Sequence, residues 1–82
     1  MSEYLSDKPK QLVVKDTNNN IKNIQEFNHN SKGDPTYYKK IENNKIITEL
    51  TYEYEYDELG RKTLTKIIDN INNNITIMEY SY

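Results

Sequence analysis

The sequence predicts an all-β fold: an antiparallel six-stranded meander of hairpins, forming either a curled single sheet or a face-to-face dimer. Three observations carry this expectation. First, Thr51-Tyr52-Glu53-Tyr54-Glu55-Tyr56 alternates with period two, so a strand here shows rings on one side and charge or hydroxyl on the other. Second, turn signals recur at intervals of about 12–15 residues, which suits hairpins and leaves no room for a crossover helix. Third, the chain holds 8 Tyr and is rich in Ile, residue types that favour a pleated surface.

Residues 1–9 read as a flexible tail, with Pro9 just before the first strand, and residues 10–82 as one domain. A first strand over 10–16 ends at Asp16-Thr17-Asn18-Asn19-Asn20. A second, over 20–29, ends at Asn30-Ser31-Lys32-Gly33-Asp34-Pro35. The third, over 36–42, meets Glu42-Asn43-Asn44-Lys45, where Asn43-Asn44 suit a two-residue turn. The fourth, over 45–56, runs into Asp57-Glu58-Leu59-Gly60-Arg61. The fifth and sixth, over 61–69 and 74–82, flank Asp69-Asn70-Ile71-Asn72-Asn73-Asn74. Asn and Gly dominate these corners because they tolerate positive φ at little cost.

Turn geometry then sets an expected register. A three-residue loop at Glu58-Leu59-Gly60, with Gly60 in the left-handed position, places Tyr56 opposite Lys62, Tyr54 opposite Leu64, Tyr52 opposite Lys66 and Leu50 opposite Ile68. The Asn43-Asn44 turn places Ile41 opposite Ile46 and Tyr37 opposite Leu50, and a second bulged loop at Ser31-Lys32-Gly33 places Phe27 opposite Tyr37. Phe27, Tyr37, Ile41, Ile46, Leu50, Tyr52, Tyr54, Leu64 and Ile68 then share one face. The opposite face carries Glu49, Thr51, Glu53 and Glu55, with Ile47 and Ile67 as apolar intruders. The last hairpin closes in two registers, one with Met78 beside Leu64 and one with Ile75 beside Ile68.

A ring–x–ring pattern repeats as Phe27-Asn28-His29, Tyr54-Glu55-Tyr56 and Tyr80-Ser81-Tyr82, at spacings of 27 and 26 residues. Gly33 and Gly60 come after the first two copies at the same offset. Tyr54-Glu55-Tyr56-Asp57-Glu58-Leu59-Gly60-Arg61 resembles the YD repeat, also called the RHS repeat, whose usual form is Tyr-x-Tyr-Asp-x-x-Gly-Arg and an apolar residue. Asn30-Ser31-Lys32-Gly33 looks like a degenerate second copy. The match covers about a tenth of the chain well and about half of it loosely. In that family many repeats coil a long strip of sheet into a shell. The resemblance implies a strip of antiparallel sheet here, but two and a half repeats are too few to close a shell, and Lys62 stands where an apolar residue commonly succeeds the Arg.

Composition narrows the function classes. Cysteine is absent, so neither a disulfide framework nor a thiolate metal site is expected. The Asp and Asn clusters lack the closing Glu of a calcium loop, and two glycines are too few for a phosphate cradle. No metal and no cofactor are expected. The longest apolar run, Leu12-Val13-Val14, is far short of a membrane span, and there is no apolar signal core, so a cytoplasmic protein without membrane contact is expected. Asn74-Ile75-Thr76 matches a glycosylation acceptor by chance in an Asn-rich chain. Apolar residues make up only 34%, but the net charge of −2 is too small for a charge-driven disordered chain.

The charge is uneven. Residues 42–58 hold Glu42, Glu49, Glu53, Glu55, Asp57 and Glu58 against Lys45 alone, between mildly basic flanks. Enzyme signals are close to absent: His29 is the sole histidine and sits at a ring position of the repeat, and Glu53 and Glu55 read as a solvated pair beside Lys62 and Lys66. Asp16 and Asp57 read as turn caps. Tyrosines on a sheet stack on bases, but interleaved Glu and a net acidic chain repel phosphate, so direct nucleic-acid binding is not expected. An acidic, Tyr-bearing sheet suits instead a basic groove on a nucleic-acid-handling protein. The expectation is therefore a non-enzymatic binding module, for example a phage-type inhibitor of such a bacterial protein. Glu49, Glu53, Glu55, Asp57 and Glu58 would supply charge, and Tyr52, Tyr54 and Tyr56 contact area. The alternative is a structural repeat module that self-associates or pairs with longer repeat proteins. A lone open sheet leaves its ring face wet, so curling, a homodimer or a partner is expected to cover it.

Overall fold

The computed structural model describes residues 8–82; the part of the expected tail before Lys8 lies outside the described residues. The strands are β1 (Gln11–Lys15), β2 (Ile21–His29), β3 (Pro35–Glu42), β4 (Lys45–Tyr56), β5 (Lys62–Asp69) and β6 (Asn74–Glu79). They form one 6-stranded sheet in sequence order, every neighbour antiparallel. The sheet is an open all-β meander, with β1 and β6 as its edges. Each strand lies within a residue or so of its expected span except β6, which ends at Glu79.

Three of the corners share one hydrogen-bond pattern. At Asp57 the backbone N–H donates to the Arg61 carbonyl, and the Gly60 N–H donates back to the Asp57 carbonyl. The Asp57 carboxylate also accepts the N–H groups of Leu59 and Arg61, at 2.9 Å each. Asn30 repeats all four bonds with Gly33, Lys32 and Asp34. Asp16 repeats them with Asn18, Asn19 and Asn20. The left-handed position is filled by Gly60 (φ 82°), Gly33 (φ 85°) and Asn19 (φ 66°), a conformation that costs most residues free energy and these little. Asn43 and Asn44 have φ of 51° and 63°, as a two-residue turn matched to strand twist demands.

A register slip just past each of four corners corrects the expected single apolar face. Tyr56 pairs with Lys62 and Ile41 with Ile46, as the loops require. One residue further the register slips: Glu55 pairs with Leu64, so Tyr54 faces Thr65, Tyr52 faces Ile67 and Leu50 faces Asp69. The extra residue is Thr63. Thr36, Ile47 and Lys22 occupy the same place in the preceding hairpins. Phe27 therefore faces Tyr38, and Tyr37 faces Thr51. A β-bulge re-aims every side chain beyond it and increases local twist, which loop geometry alone does not reveal. The last hairpin has no bulge and takes the register with Ile68 opposite Ile75.

The consequence is two mixed faces. Phe27, Tyr38, Leu50, Tyr52, Tyr54 and Ile67 share the ring face, while Tyr37, Ile41, Leu64 and Ile68 lie on the other with Ile24, Ile75 and Glu49. The sheet measures 49 × 40 × 15 Å, the thickness of a single layer. Its radius of gyration is 15.6 Å, where a compact chain of this length would give about 12 Å. Among the described residues no apolar side chain is buried, and Thr65, at 4% exposure, is the sole buried residue.

Candidate interaction surface

The ring face is built on β4. Tyr52, Tyr54 and Tyr56 project to one side at every second residue, with ring centroids 6.4 Å and 6.0 Å apart along the row. Across the sheet Phe27 packs on Tyr38 at 5.4 Å and lies against His29 at 6.4 Å. The hydroxyls bind the fold to itself. Tyr54 donates to the Pro35 carbonyl and Tyr38 to the Gln25 side chain. Tyr56 donates to Asp34 and accepts from the Asn30 amide, both at 2.8 Å.

Tyr56 is thus the pin between two neighbouring corners, those at Asn30 and Asp57. Lys62 reinforces it, with its ammonium 3.0 Å from Asp34 and 5.1 Å from the Tyr54 ring centre. Lys32 sits 4.8 Å over the Tyr56 ring. Partial burial alone would raise the Asp34 carboxyl, but its bonds to Lys62 and Tyr56 outweigh that and hold it below 3.8. The same contact with Asp34 raises Lys62. Burial, then the nearby Asp34 charge, pushes Tyr54 up to about 12.

The opposite face carries the acids of β4. Glu49 accepts a hydrogen bond from Tyr37, which pushes that phenol up to about 12. Glu53 pairs loosely with Lys66 at 3.9 Å and keeps 60% of its side chain exposed. Glu55 is exposed and has no ion-pair partner among the described residues. Lys39 bridges to Glu26 at 3.3 Å on the same face. Leu64, Lys66, Ile68, Ile75 and Ile77 complete this side.

The eight residues expected to form one contact surface therefore fall into three places. Tyr52, Tyr54 and Tyr56 share the ring face; Glu49, Glu53 and Glu55 share the other; Asp57 and Glu58 sit in the corner between. A flat partner meets the rings or the acids, not both. Asp57 is taken up by the corner: besides two backbone N–H groups it accepts Arg61 Nε at 2.8 Å, and the Arg61 bonds come first in holding its carboxyl low. The half-buried node of Asn30, Asp34, Tyr56 and Lys62 escaped sequence reasoning. Its one visible signal was Asn30 standing three residues before Gly33, as Asp57 stands before Gly60.

Elsewhere a shallow depression of about 280 Å³ lies between the start of β2 and the Asn43-Asn44 turn, lined by Ile21, Ile24 and Ile41 among others. Among the described residues no three His, Asp or Glu side chains gather as a metal site would need. No helix among the described residues is long and apolar enough to cross a membrane. Comparison with protein families, with characterised proteins and with solved structures found no match to this chain.

Proposed function

We propose that the protein is a non-enzymatic protein-binding module whose contact surface is the sheet itself. What supports this is the single layer: six strands with no apolar side chain buried among the described residues. Covering either face would remove apolar area from water, at about 25 cal/mol per Å². The acid-bearing face has the chemistry for a basic partner. Glu53 and Glu55 stand about 7 Å apart along β4, where each is paired with β5 (Glu53 with Lys66, Glu55 with Leu64), so their spacing is held by the backbone. Carboxylates on such a rail suit phosphate-binding positions in the groove of a nucleic-acid-handling protein. A small phage-type inhibitor would use them in this way.

The test is capture of partners from bacterial lysate after nuclease treatment, with wild type against the double variant Glu53→Lys/Glu55→Lys. Both positions face solvent, so the fold should persist by circular dichroism while the partner is lost. Capture that survives both reversals refutes the acidic contact.

A second reading is favoured by the corners at Asn30 and Asp57, which share the same four hydrogen bonds from backbone N–H groups and sit 27 residues apart. A strip of corners with one backbone pattern, cross-pinned by Tyr56, suits a structural module of YD-repeat type that self-associates or extends a longer sheet. A chain that stays monomeric at high micromolar concentration in light scattering counts against that reading.

A further inference from the structure

The two edges of the sheet are not alike. β1 is flanked by Pro9 and Lys10 and ends at Lys15, residues that discourage strand addition. Its hairpin also carries a bulge between Val14 and Lys15, which twists the edge. β6 has none of these guards. Its sequence, Asn74-Ile75-Thr76-Ile77-Met78-Glu79, has neither Pro nor Lys, and only its last residue is charged. It pairs with β5 without a register shift, in the one hairpin that has no bulge. Every residue of β6 is exposed, including Ile75 and Ile77 at 58% each.

The free backbone groups of this edge can be assigned. The Tyr80 N–H donates to the Thr63 carbonyl, so Tyr80 points inward to β5. In an antiparallel ladder the direction alternates, so Met78 and Thr76 also point inward, and Ile75, Ile77 and Glu79 turn N–H and C=O outward. The residues after the strand do not cover them. Tyr80 shares a 3.0 Å hydrogen bond with Thr65, and Tyr82 donates to the Lys62 carbonyl, so both lie along β5.

We propose that β6 is a strand-addition edge and that its occupant is β6 of a second copy of this chain, antiparallel, with Ile77 opposite Ile77. The proposal rests on the self-associating reading and names its edge, partner and register. The case for a second copy is self-complementarity. A two-fold axis normal to the sheet keeps each face on its own side and pairs outward residues only with outward residues. Centred on Ile77, it sets Ile75 opposite Glu79 of the second copy and Thr76 opposite Met78. All outward N–H and C=O groups of Ile75, Ile77 and Glu79 then find partners. The one charge of the strand lands against an isoleucine, four residues from its own mate, so no like charges meet. The apolar rows of Ile75 and Ile77 run on across the junction, covering side chains that are half exposed in the single chain.

The test uses the absence of cysteine from the sequence. Residues opposite each other in a hydrogen-bonded antiparallel pair have Cα atoms about 5.5 Å apart, within the span of a disulfide. Under mild oxidation Ile77→Cys should cross-link, and Val13→Cys on the β1 edge should not. Light scattering of the unmodified chain at high micromolar concentration should give twice the 9.8 kDa chain mass. Ile77→Pro removes only an outward N–H, so it should restore the monomer with the β spectrum unchanged. A dimer that cross-links at Val13 and not at Ile77 overturns the inference and leaves self-association standing. A monomeric wild type overturns both, and an open series of higher masses, the mark of head-to-tail β6–β1 pairing, overturns the inference as well.

Discussion

Tyr56→Phe isolates the pin between the two corners, because it removes one hydroxyl and keeps the ring on which Lys32 and Tyr54 rest. That hydroxyl makes two bonds of 2.8 Å, one to the Asp34 carboxylate and one from the Asn30 amide. A bond to a charged group contributes about 1.5–3 kcal/mol and a neutral one about 1 kcal/mol. Asp34 keeps Lys62 as a partner and is 23% exposed, so water recovers part of the loss. The net cost expected is about 2 kcal/mol, a fall in melting temperature of roughly 8–16 °C for a chain of this length. Thermal melts monitored by far-ultraviolet circular dichroism measure it. Asp34→Asn keeps an acceptor and drops the charge, so the double variant should show a coupling of about 1 kcal/mol. A Tyr56→Phe melt within about 2 °C of wild type, or a cost unchanged in the Asp34→Asn background, would refute the pin.

The corners and the titrating groups lead to further outcomes. Gly33→Ala and Gly60→Ala should each lower stability by about 1–2 kcal/mol by urea midpoint, because both hold positive φ. At Gly60 the added Cβ meets only the tip of Lys32 at 3.1 Å, which can swing aside, so the cost is backbone; Gly60→Asn should recover part of it, as Asn19 already fills that position. Tyr37 and Tyr54 are raised from 10.0 to about 12, so they favour the folded state fully below pH 10 and lose that contribution as pH rises to about 12. Alkaline titration by circular dichroism should show this loss, and Tyr37→Phe should reduce it. Asp34, Asp57 and Asp69 are held below 3.8, so their contribution is present above that pH and is lost as pH falls through the lower folded values. The melting temperature should therefore drop below about pH 4.

How much of this was legible in the sequence differs by level. The corners were, because Asp16, Asn30 and Asp57 with Asn19, Gly33 and Gly60 are local chemistry, and Asn43-Asn44 allow essentially one turn. The strands were, because Tyr and Glu alternate through β4 and polar clusters punctuate the rest. The faces were only half legible. Phe27, Leu50, Tyr52 and Tyr54 do share a side, but Tyr37, Ile41, Leu64 and Ile68, expected on that side, lie on the other. Thr36 and Thr63, which shift the register, are ordinary strand residues with no mark of a bulge in the sequence.

The expected contact surface divides for the same reason. Period-two alternation already separates Tyr52 from Glu53 by face, and this was visible from the start. The role of the tyrosines was not, since it depends on Asn30 and Asp34 reaching Tyr56 from a corner more than twenty residues away.

Sequence by itself determined an all-β chain of six strands in meander order, because period and turn propensity act over a few neighbouring residues. Tertiary structure alone decided which side chains meet across strands, how two corners are cross-pinned through Asp34, Tyr56 and Lys62, and which edge strand pairs without a bulge. These depend on bulges and long-range contacts, whose energies are summed over the whole sheet rather than written in any one segment.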